Sequence, residues 1–519
     1  MTGTVSDPLT NSIGQILPTA AARYGDKIAL ITETRSLSFN ELEALSNRAA
    51  NGLSAMGIQP GERVTLYGPN CWEWLVAYYG AAKIGAVINP INVMLTPDEV
   101  RYIVEDAGSR ATIAASDKGG PLLDMKDGAL SDVILWGEDL PEGATSFNAF
   151  LEKGSDSFDP VPVVGTELGK ICYTSGTTGR PKGAMQSHRS LIMNAASFAL
   201  LTARTQQDVV ISPLPCPHVY ASVVFNASIM FGSKLVMMSR FDAEGMLRLM
   251  KEHKGTIIDV VPTGYYYMLA LPNFESFDFS SLRIATVGGQ TLPAAKSHEF
   301  TRRSGVNVYE LWGMTEVSGA GTCNPVYGIN KPGTIGVAFP GNQARISDLD
   351  NPDQEAPVGE RGELMFKGPL VMMGYYNNPE ATADSIRPDG WMHSGDIATM
   401  DEDGYFTIVD RKKDMILTAG YNVYPAELER VLCMHPSVAL AAVCGVEDAE
   451  KGEIAKAYVM LKPDLSASGP ELASHCREHL AAYKVPRALQ FVDNVPITSS
   501  GKIMRRLLED QDDGTRSVE

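Results

Sequence analysis

The stretch at residues 173–185, YTSGTTGRPKGAM, concentrates the residue types that handle phosphate. A β-rich run, KICY, leads into a loop of glycines and small hydroxyl residues, and a helix is predicted to begin after Ser187. Glycines admit a phosphate close to the backbone, and successive N–H groups form an anion nest. Ser175, Thr177 and Thr178 add hydroxyl donors, and Lys182 adds a positive charge. A flexible linker is the alternative, but such a linker has little reason to end in the stiff, charged Pro181-Lys182-Gly183. Nor is this the common nucleotide loop, whose lysine directly follows its last glycine: Gly179 is followed here by Arg180 and Pro181.

Other residues carry complementary chemistry. Glu316 is a carboxylate beside a hydroxyl, Thr315, and hard oxygen donors of this kind suit Mg2+. Asp396, in Ser394-Gly395-Asp396, is an acceptor able to hold two ribose hydroxyls. Taken alone, Asp396 or the always-charged Arg411 reads as a solvated surface charge. Lys502 follows Ser499-Ser500-Gly501, a flexible turn. A long ammonium there can offset the repulsion between two anions, against the alternative of an ordinary solvent-facing lysine.

These groups need a scaffold. The 519 residues exceed the size at which one hydrophobic core stops growing, so two or more domains are expected. β-rich runs at 63–67, 256–261, 283–287 and 306–310 alternate with helical patterns such as 41–56. They predict a large N-terminal α/β region, residues 1–410, with helix-covered sheets. The apolar run at 75–90 is interrupted by Lys83 and reads as a buried helix and strand rather than a membrane span. The rhythm then changes: a strand at 405–409, a helix at 425–434 with Leu428, Val431 and Leu432 on one face, strands at 440–446 and 455–461, a helix at 471–483 and a strand at 489–492. A small separate α+β domain, residues 414–519, is expected, with the charged segment DRKKD at 410–414 as linker.

Bulk properties exclude other classes. A net charge of −18 repels nucleic acid and anionic membrane, so an anionic ligand needs a local cradle of donors. The 44% apolar and 20% charged fractions are those of an ordinary soluble globular chain. Seven scattered cysteines without a CxxC pair argue against a disulfide framework or zinc site and for reduced thiols in a cytoplasm. MTGTVSDPLTNSIGQIL has no basic segment before an apolar one and is no secretory signal, and no transmembrane segment is expected.

YTSGTTGRPKG resembles the signature loop of the adenylate-forming superfamily, which includes acyl- and aryl-CoA ligases, beetle luciferases and peptide-synthetase adenylation domains. YELWGMTEVSG at 309–319, WMHSGDIA at 391–398, IVDRKKDMILTAGYNVYPAELE at 408–429 and PITSSGKIMRR at 496–506 resemble the rest of its pattern, in order. Their joint order and spacing is what makes the resemblance specific. It implies an AMP-forming acid–CoA ligase: a carboxylic acid attacks ATP to give an acyl-adenylate and pyrophosphate, and the acyl group then passes to coenzyme A. It implies that Thr174, Ser175, Gly176, Thr177, Thr178 and Lys182 hold the ATP phosphates, that Glu316 binds Mg2+ and that Thr315 touches the α-phosphate. Gly289 and Gln290 resemble one wall of the adenine site, and Trp312 stands where the family has a tyrosine stacked on adenine. By the same resemblance Asp396 takes the ribose hydroxyls, Arg411 lies near ribose and phosphate, and Lys502 acts in adenylation. The small domain is implied to be mobile, with 411–413 as hinge and Lys413 as pivot. Between half-reactions it replaces Lys502 with residues 418–422, where Gly420 lets the pantetheine arm pass beside Tyr421 and Asn422. Leu417 departs from the Lys or Arg of many relatives.

The acid is less defined. PCPHVYA at 215–221 resembles the gate of the acyl pocket, with His218 closing over the acid; a satisfied core histidine is the alternative. Tyr265, Tyr266 and Tyr267 line an acyl tunnel or are partly plain core. A medium- or long-chain fatty acid is the leading expectation, on the form of the linker region. Hydroxycinnamate–CoA ligases have a similar His-x-Tyr-Ala stretch in which Tyr220 would hydrogen-bond a ring substituent, so an aryl acid is the alternative. An oxygenase of the luciferase type, an enzyme loading a separate carrier protein and a nucleotide sensor are the readings from other classes. The partners expected are the acid, ATP and CoA, without nucleic acid and with a homodimer left open.

Overall fold

The computed structural model describes residues 12–126, 128, 130–174, 180–411, 414–418, 421–448, 452–496, 503–509, 512–515 and 517–518. Apolar runs bounded by turns form strands buried on both faces, as in a helix-covered parallel sheet; Val87–Ile91 is buried at every position. Thr145–Ser146, Asp132–Trp136, Ser109–Ala115, Arg63–Tyr67, Val87–Ile91 and Leu168–Thr174 run parallel in that spatial order, and Lys182–Ser187 closes the edge antiparallel. A nine-stranded sheet has a parallel centre of Ile28–Ile31, Lys234–Met237, Val209–Ser212, Ile257–Val260, Ile284–Val287 and Val308–Met314. Gly319–Cys323 and Val337–Ala338 extend it antiparallel at the edge nearest the candidate site.

Helices fill the space between and around these sheets. Val219–Phe231 is buried at every position from 219 to 229, so a helix apolar on all sides becomes an interior element. Trp74, Tyr78 and Tyr79 pack on its Phe225, the Tyr78 ring edge-on at 4.9 Å. Lys83, which interrupts the apolar run, is fully buried and satisfied by Glu43 at 2.6 Å and Ser46 at 2.7 Å. The helix Phe39–Ala55 begins with a capping box between Ser38 and Glu41.

Gln343–Ser347, Gly362–Lys367, Met392–Met400 and Phe406–Arg411 make a four-stranded antiparallel sheet. The strand expected at 405–409 therefore closes this sheet rather than opening the C-terminal unit. Beyond it, Tyr421–Val423, Ile416–Thr418, Gly452–Leu461 and Val438–Asp448 form a separate sheet to which Ala488–Phe491 adds in parallel. The helices Pro425–Leu432 and Gly469–His479 cover it, with Leu428, Val431, Leu432 and Leu472 in its own core. The architecture is mixed α/β, a large N-terminal part with covered sheets and a smaller C-terminal part. Among the described residues no helix is long and apolar enough to cross a membrane.

Candidate active site

The phosphate-type loop joins the strands Leu168–Thr174 and Lys182–Ser187, and Thr174 pairs with Lys182 where they part. Thr174 donates its hydroxyl to the Lys182 carbonyl at 3.4 Å. Tyr173 braces the hairpin by donating to Asp106 at 2.6 Å. Ser187 caps the following helix, His188–Leu201, by accepting from Ser190 N–H. Ser175, Gly176, Thr177 and Thr178 lie outside the described residues.

Glu316 comes to this hairpin from the other large sheet. Val308–Met314 runs into a tight turn, Thr315–Val317, and the chain reverses into Gly319–Cys323. The reversal brings the backbone against itself: a Cβ on Gly313 would stand 1.9 Å from the Gly319 carbonyl, so only glycine fits. Gln186 donates its amide to the Thr315 carbonyl at 2.8 Å, and Met372 N–H donates to the Glu316 carbonyl at 2.8 Å. Tyr375 donates its hydroxyl to Glu316 Oε1 at 2.7 Å, and Lys182 Nζ stands 5.5 Å from the centre of the same Tyr375 ring. Three segments distant in sequence, the 168–187 hairpin, the 315–317 turn and residues 372–375, thus hold Thr315, Glu316, Thr174 and Lys182 in one neighbourhood.

Trp312, four residues before Glu316, leads to the ribose candidates. Its indole N–H donates to Asp396 Oδ2 at 2.6 Å, and Arg411 Nε lies 3.2 Å from Asp396 Oδ1. Asp396 and Arg411 are register partners on adjacent strands, which is why two motifs 15 residues apart meet. Trp312 is buried against Phe366 at 5.9 Å between ring centres, and its N–H is committed to the Asp396 carboxylate, a contact beyond the expected adenine face. Gly289 takes a φ of +92° two residues after the strand Ile284–Val287, a conformation that favours glycine.

The acid side is organised differently. His218 caps the buried helix by accepting from Tyr220 N–H at 3.2 Å. The Tyr220 hydroxyl is 2.6 Å from Thr286 Oγ1, which donates to Asp259 Oδ1 at 2.6 Å, and Asp259 pairs with Arg204 at 2.5 Å. Both members of this ion pair are fully buried. Tyr265 is sealed in the core against Phe300, 5.0 Å away, and donates to the Thr286 carbonyl at 2.9 Å. Of the two expectations for Tyr265, acyl lining or plain core, its burial and internal hydrogen bond favour the core. Tyr220 likewise spends its hydroxyl inside the protein, not toward a ring substituent. Burial pushes both phenols up, so both stay neutral donors.

In the C-terminal part, Tyr421 is exposed and stacked on Tyr483 at 4.8 Å, and Leu417 is exposed beside it in sequence register with Asn422. Lys413, Gly420 and Lys502 lie outside the described residues, as does the Asn422 side chain. Arg505, three residues after Lys502, is held by Glu429 at 2.7 Å and Asp414 at 3.1 Å. Asp410 accepts from Ala426 N–H at 2.8 Å, at the start of the helix Pro425–Leu432.

The chain matches the AMP-binding enzyme family over residues 17–376 and the AMP-binding enzyme C-terminal domain over residues 427–502. It belongs to that family. A long-chain-fatty-acid–CoA ligase of Bacillus subtilis is 33% identical over 97% of this chain and 95% of its own. A feruloyl-CoA synthase of an Amycolatopsis species is 36% identical over 91% of this chain and 93% of its own. The crystal structure of an anthranilate–CoA ligase in complex with anthranoyl-AMP superposes with a TM-score of 0.91, at 28% identity, covering 97% of this chain and 98% of that one.

Within this AMP-binding enzyme, Gln186, Tyr375, Asp410 and Arg505 carry contacts that sequence reading did not single out. Gln186 is a fully buried amide on the strand Lys182–Ser187, and its Thr315 partner lies 129 residues away. No local signal marks Tyr375, since its contacts come from chain segments 59 and 193 residues away.

Proposed function

We infer that the protein is an AMP-forming acid–CoA ligase whose adenylation site lies between the Thr174–Lys182 hairpin, the Glu316 turn and the Asp396–Arg411 strand pair. The observation that carries this reading is the convergence of Lys182, Thr315 and Glu316 through Gln186 and Tyr375. In the first half-reaction the acid's carboxylate attacks the α-phosphorus of ATP and pyrophosphate leaves. The substrate supplies the nucleophile, so the protein's task is positioning and charge neutralisation. Lys182 and the hairpin would hold the phosphates, Asp396 the ribose, and Lys502 would bridge the two anions. In the second half-reaction the CoA thiol attacks the acyl-adenylate and AMP departs.

The residues present fit Mg2+. Glu316 is a buried carboxylate with one oxygen held by Tyr375. Among the described residues no group of three or more acidic, His or Cys side chains forms a metal cage. One carboxylate plus substrate phosphates is how Mg2+ is commonly held. When bound, the ion neutralises phosphate charge; Glu316 would hold it, Thr315 would touch the α-phosphate, and Tyr375 would hold Glu316.

For the acid we propose a medium- or long-chain fatty acid, supported by the linker form and by the fatty-acid ligase among the relatives. An aryl acid is the second reading, favoured by the feruloyl-CoA synthase among the relatives. A panel of fatty and aryl acids, read by pyrophosphate release with CoA present, separates them. Turnover confined to aryl acids would replace the first reading with the second, and no turnover with any acid would remove both. We place the two domains at 1–410 and 414–519, with 411–413 as hinge and Lys413 as pivot. The supporting observation is that Phe406–Arg411 ends one sheet and Ile416–Thr418 begins another. Limited proteolysis that never cuts near 410–414, with or without ligand, would count against this. A cytoplasmic location, resting on the scattered cysteines, is checked by cell fractionation.

A further inference from the structure

Tyr375 lies on neither of the motifs that define the site, yet it touches both. The backbone of residues 372–376 is stitched to two elements at once. Met373 N–H donates to the Met185 carbonyl at 2.8 Å, Met185 N–H to the Gly374 carbonyl at 2.9 Å and Tyr376 N–H to the Gly183 carbonyl at 2.7 Å. Met372 N–H donates to the Glu316 carbonyl at 2.8 Å. The segment lies antiparallel along Lys182–Ser187 through an isolated bridge between Ala184 and Tyr375, and it also grips the Glu316 turn. The Tyr375 side chain repeats this double contact: hydroxyl to Glu316 Oε1 at 2.7 Å, ring beneath Lys182 Nζ at 5.5 Å. Burial and the Glu316 carboxylate push the phenol up, so it remains a donor at any physiological pH.

We propose that Tyr375 is a positioning residue which fixes Glu316 to offer its free oxygen, Oε2, to the metal of a metal–nucleotide complex while its ring aims the Lys182 ammonium at the same phosphates. The proposal rests on the reading of Glu316 as metal ligand. Among the described residues no hydrogen bond reaches Oε2, so the carboxylate is presented through one oxygen, as suits an ion that takes few protein ligands. A ligating carboxylate that is itself hydrogen-bonded is held in orientation and loses metal affinity when that partner is removed, typically by ~10–100-fold. A cation over an aromatic face gains a smaller attraction, about 0.5–1 kcal/mol at an exposed site.

The test uses the full chain without acid, so that no turnover occurs. ATP affinity is measured by calorimetry with excess Mg2+ and with EDTA, and Mn2+ binding is followed by its electron paramagnetic resonance in the presence of ATP. Tyr375→Phe, which keeps the ring and loses the hydroxyl, is expected to weaken Mn2+ binding by ~10-fold or more while ATP affinity in EDTA stays at the wild-type value. Tyr375→Leu is expected to lose metal-free ATP affinity as well, by roughly two- to fivefold. Glu316→Gln is the reference. If it abolishes the Mn2+ signal while Tyr375→Phe binds Mn2+ like the wild type, the role of Tyr375 is overturned and that of Glu316 stands. If Glu316→Gln also binds Mn2+ normally, the metal-ligand reading fails. Equal loss of metal-free ATP affinity in Tyr375→Phe would make the residue a general support of the hairpin and overturn the proposal. Should Tyr375→Leu not fold, the Phe variant alone decides.

Discussion

The phosphate side and the acid side of this site are built on opposite principles. On the phosphate side, side chains from one element reach the backbone or carboxylate of another: Gln186 to Thr315, Tyr375 to Glu316, Trp312 to Asp396. The groups they hold keep acceptor capacity for a ligand. On the acid side, buried polar groups contact one another: Tyr220, Thr286, Asp259 and Arg204 form a chain of internal contacts that leaves Asp259 Oδ2 and one Arg204 nitrogen without a hydrogen bond among the described residues. A buried charge pair is costly unless its hydrogen bonds are met internally. The two regions thus differ in what they leave available: Asp396 and Glu316 are held by neighbours on other elements, whereas the Tyr220 and Thr286 hydroxyls are engaged with interior groups.

The comparison can be broken most sharply at Lys502. Lys502→Ala should slow acyl-adenylate formation by ~10²–10³, the usual loss for one well-placed donor. With synthetic acyl-AMP and CoA it should form thioester near the wild-type rate, because a charge used in the first transition state contributes little once that state is past. Equal slowing of both half-reactions would contradict the two-conformation account. Trp312→Phe should raise KM for ATP roughly tenfold, since a hydrogen bond to a charged group contributes about 1.5–3 kcal/mol. An unchanged KM would mean that Asp396 needs no orienting partner.

Asp410 adds a pH-dependent edge to the phosphate side. Its carboxyl is pushed up to about 7, chiefly by burial, with Ala426 N–H, Arg505 and Arg411 N–H opposing and Glu429 reinforcing. The folded state therefore holds a proton that the unfolded state has already released above its ordinary value of 3.8. Stability from this group is fully present below that ordinary value and is lost as pH rises through about 7. Urea denaturation of Asp410→Asn across pH 4–7 should show a flatter profile than the wild type by ~1 kcal/mol per unit or less, and parallel profiles would dismiss the effect. The smallest change is on the acid side. Tyr265→Phe should cost about 0.5–1.5 kcal/mol of stability for one internal hydrogen bond and leave the ranking of acids unchanged. A reordered ranking would return Tyr265 to the acyl pocket.

Much of the frame was legible because burial periodicity is written locally. The strands Arg63–Tyr67, Ile257–Val260 and Ile284–Val287 and the helix Pro425–Leu432 fall within a residue or two of their sequence expectations. The four-stranded sheet at 343–411 was not, apart from its last strand: its strands are antiparallel and carry polar residues among the apolar ones, so no long apolar run announces them. The phosphate motif was legible because glycines, hydroxyls and a lysine crowd into a few residues. Gln186 and Tyr375 were not, since their partners are contributed by other elements. The tyrosine run at 265–267 shows the limit of composition. Tyr265 is core, Tyr266 packs toward the C-terminal part and Tyr267 is exposed, an ordering set by helix direction rather than residue type.

The central claim is that the acid is activated as an acyl-adenylate on the phosphate side. It is tested most directly with an acid carrying ¹⁸O in both carboxylate oxygens, chosen from those the panel shows to be turned over. One labelled oxygen becomes the bridge to the α-phosphorus and stays with the nucleotide when the CoA thiol expels AMP. Mass spectrometry should therefore find AMP carrying a single ¹⁸O, with unlabelled pyrophosphate and a thioester retaining one labelled oxygen. Unlabelled AMP, or label appearing in inorganic phosphate beside ADP, would contradict the account.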